Sequence, residues 1–176
     1  MRALVFLFSL TLFSCKNYQD VPLNSFEDLK SPPGTTEIAE NLYFDITEVT
    51  NFHWLEYSSW LQEIYGKDSD EFRSSIPNKH INSPMNEQYS NFHKNHLSHP
   101  AYRDYPVIGI SYQQALDCSK WRSDRVMQYS LIKQKIISYP FPNHKDSIFT
   151  IDKYFNGQFM NYKPSEEVQF YPEYSL

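Results

Sequence analysis

Few residues in this chain have types and spacing suited to chemistry. His93, His96 and His99 recur at every third position. On a helix that spacing brings the imidazoles towards one face, and such a set can hold zinc or iron. Pro100 directly follows His99, and the residue before a proline avoids the helical region. The trio therefore reads as a solvated loop ahead of a metal site. His53 and His80 stand alone and read as surface or packing residues. The cysteines are Cys15 and Cys118; two thiols exclude a disulfide-rich scaffold and a four-cysteine zinc site. Asp45 and Glu48 are three apart, as are Asp117 and Lys120, and neither pair reads as a general acid and base. Arg103, Asp104, Arg122, Asp124 and Arg125 cluster along the second half. They read as a structural ion-pair network, with a partner surface as the sharper alternative. No nucleophile elbow, P-loop or dinucleotide fingerprint occurs. No catalytic, cofactor-binding or metal-ligating residue is assigned on these grounds.

The chain that must position these residues has 176 of them and a mass of 21.0 kDa, the size of one domain, or of one domain plus a signal. With 40% hydrophobic and 21% charged residues, a packed core is expected and wholesale disorder is not. The net charge of -5 argues against nucleic-acid binding, which needs a basic face. Four glycines exclude a collagen-like repeat and a glycine-rich phosphate loop.

The N-terminus has the pattern of an export signal. Arg2 precedes an apolar run from Ala3 to Phe13. As a helix that run would span roughly 16 Å, about half a bilayer core, so it reads as a signal and not an anchor helix. It closes on Leu12-Phe13-Ser14-Cys15. A small residue before a cysteine at that point resembles the lipobox of bacterial lipoproteins. The resemblance implies cleavage after residue 14, lipidation of Cys15 and attachment to a membrane. Residues 15–31 are then a tether, and Cys118 is left as a single thiol, expected to be buried and inert.

Pro32-Pro33-Gly34 marks the start of the body, residues 32–176. Thr35 to Asp45 alternates loosely and suggests one or two short strands with a turn at Asn41. Thr50 or Asn51 can cap a helix over about Phe52 to Tyr65, with Gly66 as its stop. Its aromatic stripe reads as core. Lys67 to Leu97 reads as an irregular surface segment. Val107 to Ile110 suggests a buried strand. Ser111 and Gln114 form a capping box for a second helix that places Cys118 on its apolar face and continues towards Ile136 or the stop at Pro140. Ser147 to Phe159 allows a short helix or strand, and Val168 to Tyr174 reads as extended.

Two stretches carry a further resemblance. The first is Pro33-Gly34-Thr35, Leu42-Tyr43-Phe44-Asp45 and Thr47-Glu48-Val49-Thr50-Asn51 before an aromatic helix. The second is His99-Pro100-Ala101-Tyr102, Tyr105-Pro106-Val107-Ile108-Gly109-Ile110-Ser111-Tyr112, Gln114-Ala115 and Trp121-Arg122. Together they resemble the formylglycine-generating enzyme, or sulfatase-modifying factor, family. Tyr154-Phe155-Asn156-Gly157-Gln158-Phe159 and Tyr171-Pro172-Glu173-Tyr174 are similar to the branch found in gliding-motility lipoproteins. The resemblance implies an α+β fold with little regular secondary structure, about two helices and short strands. It covers only the first part of the family domain. The family's copper-binding cysteine pair and most of its calcium ligands have no counterpart here, so no cofactor is implied for this chain. The expected function is a non-catalytic, lipid-anchored protein of the bacterial cell envelope, the outer membrane being the expected site. Its role would be structural or interactive, with envelope proteins as partners, as in gliding or secretion complexes. The alternative is a fragment of a formylglycine-generating or related metal-dependent oxidase whose catalytic half is missing.

Overall fold

The computed structural model describes residues 32–78, 95–138, 147–166, 168 and 171–176. Over these the chain is α+β, with a two-stranded sheet, two long helices, two short ones and much irregular backbone. Strands β1 (Thr35–Ala39) and β2 (Leu42–Asp45) pair antiparallel. Asn41 turns the chain between them at φ 58°, a left-handed conformation that asparagine tolerates well. The register slips between Glu37 and Ala39, which makes Ile38 the residue of a bulge.

Helix α1 (Asn51–Tyr65) starts where the Thr50 hydroxyl accepts from the His53 N–H and stops at Gly66, whose φ is 95°. Trp54, Tyr57, Ser58 and Leu61 recur at helical spacing and are buried. A short helix, α2 (Asp70–Ser74), follows under a Ser69 cap. It lies inside the stretch expected to be irregular, because Ser69 and two acidic first-turn residues favour a helix start. A 3₁₀ turn over Pro100–Tyr102 precedes the second long helix.

Helix α3 (Tyr112–Lys133) opens on a complete capping box. The Ser111 N–H donates to Gln114 Oε1 at 2.7 Å, and the Gln114 N–H donates back to the Ser111 hydroxyl at 3.2 Å. Ordered structure at its far end stops the helix well before Pro140. Lys135 sits at φ 60°, its N–H donates to the Ile132 carbonyl, and the Ile136 N–H donates to the Leu131 carbonyl. This is a Schellman stop with lysine in the place glycine usually takes. Helix α4 (Ile151–Phe155) starts at Thr150, whose hydroxyl accepts from the Lys153 N–H.

Two cores share α3 as a wall. Trp54, Tyr57, Leu61 and Cys118 form one, with Trp121, Val107 and Leu97 packed on it. Met127, Leu131, Ile137, Phe149, Ile151, Tyr154, Phe159 and Val168 form the other. Fully burying one such large side chain contributes about 1.5–3 kcal/mol. Val107 to Ile110 is not a strand: it is half-buried irregular chain, held by a Val107 N–H bond to the Val49 carbonyl and an isolated bridge between Thr50 and Pro106. Residues 171–176 also lack regular structure.

The hairpin is joined to α3 by a bidentate pair. Arg122 Nη1 and Nη2 reach the Asp45 carboxylate at 2.6 and 2.9 Å, and Nη2 also donates to the Pro33 carbonyl at 3.1 Å. Both side chains are about two-thirds covered, at 29% and 32% exposed. The other cationic face contact is with Tyr174, whose ring centroid lies 4.0 Å from the guanidinium carbon. Lysine cannot reproduce this fork. Arg122→Lys is expected to weaken the hairpin's attachment by about 1–2 kcal/mol, read as roughly tenfold faster amide exchange in β1 and β2 while Met127 and Leu131 keep their protection. An equal loss of protection in the two regions would show that Arg122 supports the whole body and not the hairpin alone.

Candidate functional site

The segments that carry the second motif are built around Asn51. It is completely buried, and its side-chain amide donates to the His96 carbonyl at 2.9 Å and the Tyr102 carbonyl at 2.8 Å. Its backbone N–H donates to the Tyr105 carbonyl at 2.8 Å, and the next N–H, of Phe52, donates to the Arg103 carbonyl at 3.0 Å. The unpaired first-turn donors of α1 therefore receive the 102–105 loop. The loop brings His96 inside, at 4% exposure, stacked on Tyr102 with ring centroids 5.7 Å apart. His96 Nε2 lies 2.9 Å from the Pro106 carbonyl.

The histidine trio does not gather into a site among the described residues. His96 is buried against the loop, whereas His99 is exposed and uses Nδ1 to accept from the Ala101 N–H, capping the 3₁₀ turn. The expectation of a solvated loop misses His96, whose partners lie 10 and 45 positions away. His53 is exposed. His93, His80 and Cys15 lie outside the described residues. Among those described, no group of three or more His, Cys, Asp or Glu residues could hold a metal ion.

The basic and acidic cluster divides by burial. Arg122 takes Asp45, and burial opposes its charge while the hydrogen bond to Asp45 and the nearby Tyr174 and Asp45 charges raise its pKa on balance. Glu48, three residues from Asp45, is exposed. Asp124 turns to backbone, accepting from the Ile151 N–H at 2.8 Å at the start of α4. Burial pushes its carboxyl above the ordinary value, with the Ile151 hydrogen bond and the Arg125 charge pulling the other way. Arg125 donates to the Phe149 carbonyl and lies 4.7 Å from the Trp60 ring centroid. Arg103 and Asp104 form an exposed pair at 3.6 Å, of a kind that contributes little.

One cavity of about 160 Å³ opens between α1, α3 and the chain entering α4. Trp60 and Trp121 form its aromatic side, and Asp117, Lys120, Asp124 and Arg125 its charged side. It is smaller than the roughly 300–1,000 Å³ of small-molecule sites. Neither a cysteine, a histidine nor a serine lines it. Arg125 already covers the Trp60 face, and Asp124 is committed to Ile151. The Trp121 indole N–H is buried without a hydrogen-bond acceptor among the described residues. The cavity has aromatic walls and a charged side, and its hydroxyl and amine groups are those of Tyr57, Tyr65, Thr150 and Lys120.

Cys118 is buried on α3, and burial pushes its thiol up to about 11, with Arg122 drawing it slightly down. Only the thiolate attacks or binds soft metals, so this side chain acts as a small apolar group of the α1–α3 core. No protein-family model matches the chain, and neither a curated protein nor a solved structure matches it significantly.

The Cys118 environment has a direct kinetic consequence. At pH 8 its thiolate fraction is about a hundredfold below that of a thiol at the model value of 9.0, and burial slows access further. Alkylation of Cys118 by iodoacetamide, followed by peptide mass, should be at least that much slower in the folded chain than in urea. Asp124 carries a second. A carboxyl whose folded pKa is raised contributes stability that is present below its unfolded value of 3.8 and is lost as pH rises through the folded value. Asp124→Asn keeps an acceptor for Ile151 without the charge. In urea melts it should match or exceed the native chain at pH 7, with the gap closing below pH 3.8. Asp124→Ala should lose about 1–3 kcal/mol by leaving the Ile151 N–H unpaired.

Proposed function

We propose that this chain is a membrane-tethered bacterial lipoprotein whose body is the N-terminal part of a formylglycine-generating-enzyme-type domain. Its role is structural or interactive, in a cell-envelope assembly like those for gliding or secretion, with the outer membrane as its anchor site. The observation that carries this reading is the apolar run closed by Ser14-Cys15. Acyl chains on Cys15 would each add about 0.8 kcal/mol per buried methylene, and more than one chain gives stable anchoring.

The body's geometry supports a shared domain and a non-catalytic role. The two stretches that carry the family resemblance pack on each other through Asn51, Phe52, Thr50 and Val49 against residues 102–107. The first is further tied to Arg122 at the end of the second. A copper(I) oxidase of that family needs a pair of thiolates, which suit a soft ion. Cys118 is protonated, buried and on a packed helix face, which favours packing over catalysis.

The test is acylation in the native cell. After feeding an alkyne fatty acid, the native chain should carry the label, have the mass of a chain beginning at an acylated Cys15, and stay with membranes through an alkaline carbonate wash. Cys15→Ser should lose the label and the membrane fraction together. A native chain that is unlabelled and released by the wash would sink the lipoprotein reading.

A further inference from the structure

We infer that the outward apolar face of the β1–β2 hairpin docks a partner protein whose own surface is apolar with a rim of lysine and arginine. The inference rests on the interaction role proposed above and gives that role a place and a chemistry. Ile38, Leu42, Phe44 and Ile46 are 58%, 55%, 67% and 69% exposed. Leu42 and Phe44 are two apart on β2 and so share a face. Tyr43 and Asp45 alternate with them and are half-buried towards the body. A scattered exposed leucine needs no explanation, but Ile38, Leu42 and Phe44 on the hairpin and Ile46 just past it place four large exposed apolar side chains within nine residues, a concentration of the kind that marks interaction sites.

The face is held outward. Asp45 points inward to the Arg122 fork, and a strand cannot turn one alternate set inward without turning the other out. Rolling the apolar set into the core would break that half-buried pair. The outward presentation is thus a property of the attachment and not of a loose hairpin.

Charge identifies the partner. No lysine or arginine occurs between Lys30 and Lys67. Glu37, Glu40 and Glu48 are exposed on the hairpin or just past it. Asp45 is neutralised by Arg122. The exposed charges that the hairpin and its flanking residues 32–50 carry are therefore acidic. An anionic lipid surface attracts basic and not acidic segments. A second copy of this face would set like charges against each other, which disfavours pairing. The bulge at Ile38 and the flanking glutamates are also devices that discourage strand addition at an edge, so docking uses the face. A protein surface with apolar residues inside a basic rim satisfies all of these constraints.

The test uses the full chain in its native cell with photoreactive benzoylphenylalanine in place of Phe44. A matched chain carries the same probe in place of Tyr129, which is 60% exposed on α3. The expected result is a cross-link from position 44, and not from 129, to a protein segment of apolar residues flanked by lysine or arginine. Glu37→Gln with Glu40→Gln and Glu48→Gln should cut its yield about tenfold, and Leu42→Thr with Ile46→Thr at least as much. Unchanged thermal melts would show that the variants still fold. A cross-link to lipid, to residues 16–31 of the same chain, to a second copy or to an acidic segment overturns the inference. So does no cross-link from a chain that is acylated and membrane-held, an outcome that leaves the lipoprotein reading standing. A basic-rimmed adduct from a chain lacking acyl groups supports the docking face and sinks the lipoprotein reading instead.

Discussion

Loops that pack onto a helix bring backbone groups for which no ladder exists, and the body of this protein depends on side chains that receive them. A buried carbonyl or N–H left unpaired costs about 1–3 kcal/mol, so nearly all such groups are paired in folded proteins. Here helix residues do much of that pairing. Asn51 holds the carbonyls of His96 and Tyr102. The Trp54 indole holds Ser75, and Gln114 holds Ser74 and Ile76 while also closing its capping box. Asp124 takes the Ile151 N–H, Arg125 the Phe149 carbonyl and the Ser123 hydroxyl the Tyr174 N–H. Apart from the capping box, each of these bonds spans at least 21 positions, so each fixes a remote loop to α1 or α3.

This arrangement explains how α3 serves two cores. Its first half presents Cys118 and Trp121 to α1, and its second half presents Met127 and Leu131 to α4. Between them sit Arg122, Ser123, Asp124 and Arg125. All four carry polar side chains in a partly or fully buried stretch, and each has a defined backbone or carboxylate partner. The charge cluster visible in the sequence is therefore only in part an ion-pair network. Among the described residues its well-covered salt bridge is Arg122 with Asp45, while Asp124 and Arg125 also bond backbone groups. That choice suits a fold with little sheet, because a guanidinium or carboxylate bonds a backbone group more strongly than a neutral side chain does.

What the sequence made legible is local. Thr50, Gly66, Ser111 with Gln114, and Asn41 each act within about four residues, and each marks a boundary found in the structure. The helical stripe of Trp54, Tyr57 and Leu61 is likewise a local periodicity. What was not legible depends on distant partners. Asn51 looks like a capping residue, yet its amide acts across 45 and 51 positions. Val107 to Ile110 has the composition of a strand, but among the described residues it meets the Thr50–Pro106 bridge and not a strand to pair with. Lys135 hides the end of α3, because lysine gives no hint of a left-handed backbone. His96 looks like its neighbour His99 until the 102–105 loop closes over it.

The hairpin shows why composition alone misassigns a face. Alternation in Leu42-Tyr43-Phe44-Asp45 has an apolar set and a mixed set, and hydrophobicity would turn Leu42 and Phe44 inward. The structure turns Tyr43 and Asp45 inward instead. Arg122 decides this. Its charge lies mostly covered on α3, where an uncompensated guanidinium would be costly, and Asp45 is the carboxylate that reaches it. Turning Leu42 and Phe44 inward would gain about 1.5–3 kcal/mol each but would take Asp45 away from the guanidinium, and Tyr43 keeps part of the apolar burial on the inner face. The exposed ridge is thus the consequence of an electrostatic constraint inside the body. A change that neutralised both members of the pair would remove the force that keeps the ridge outside.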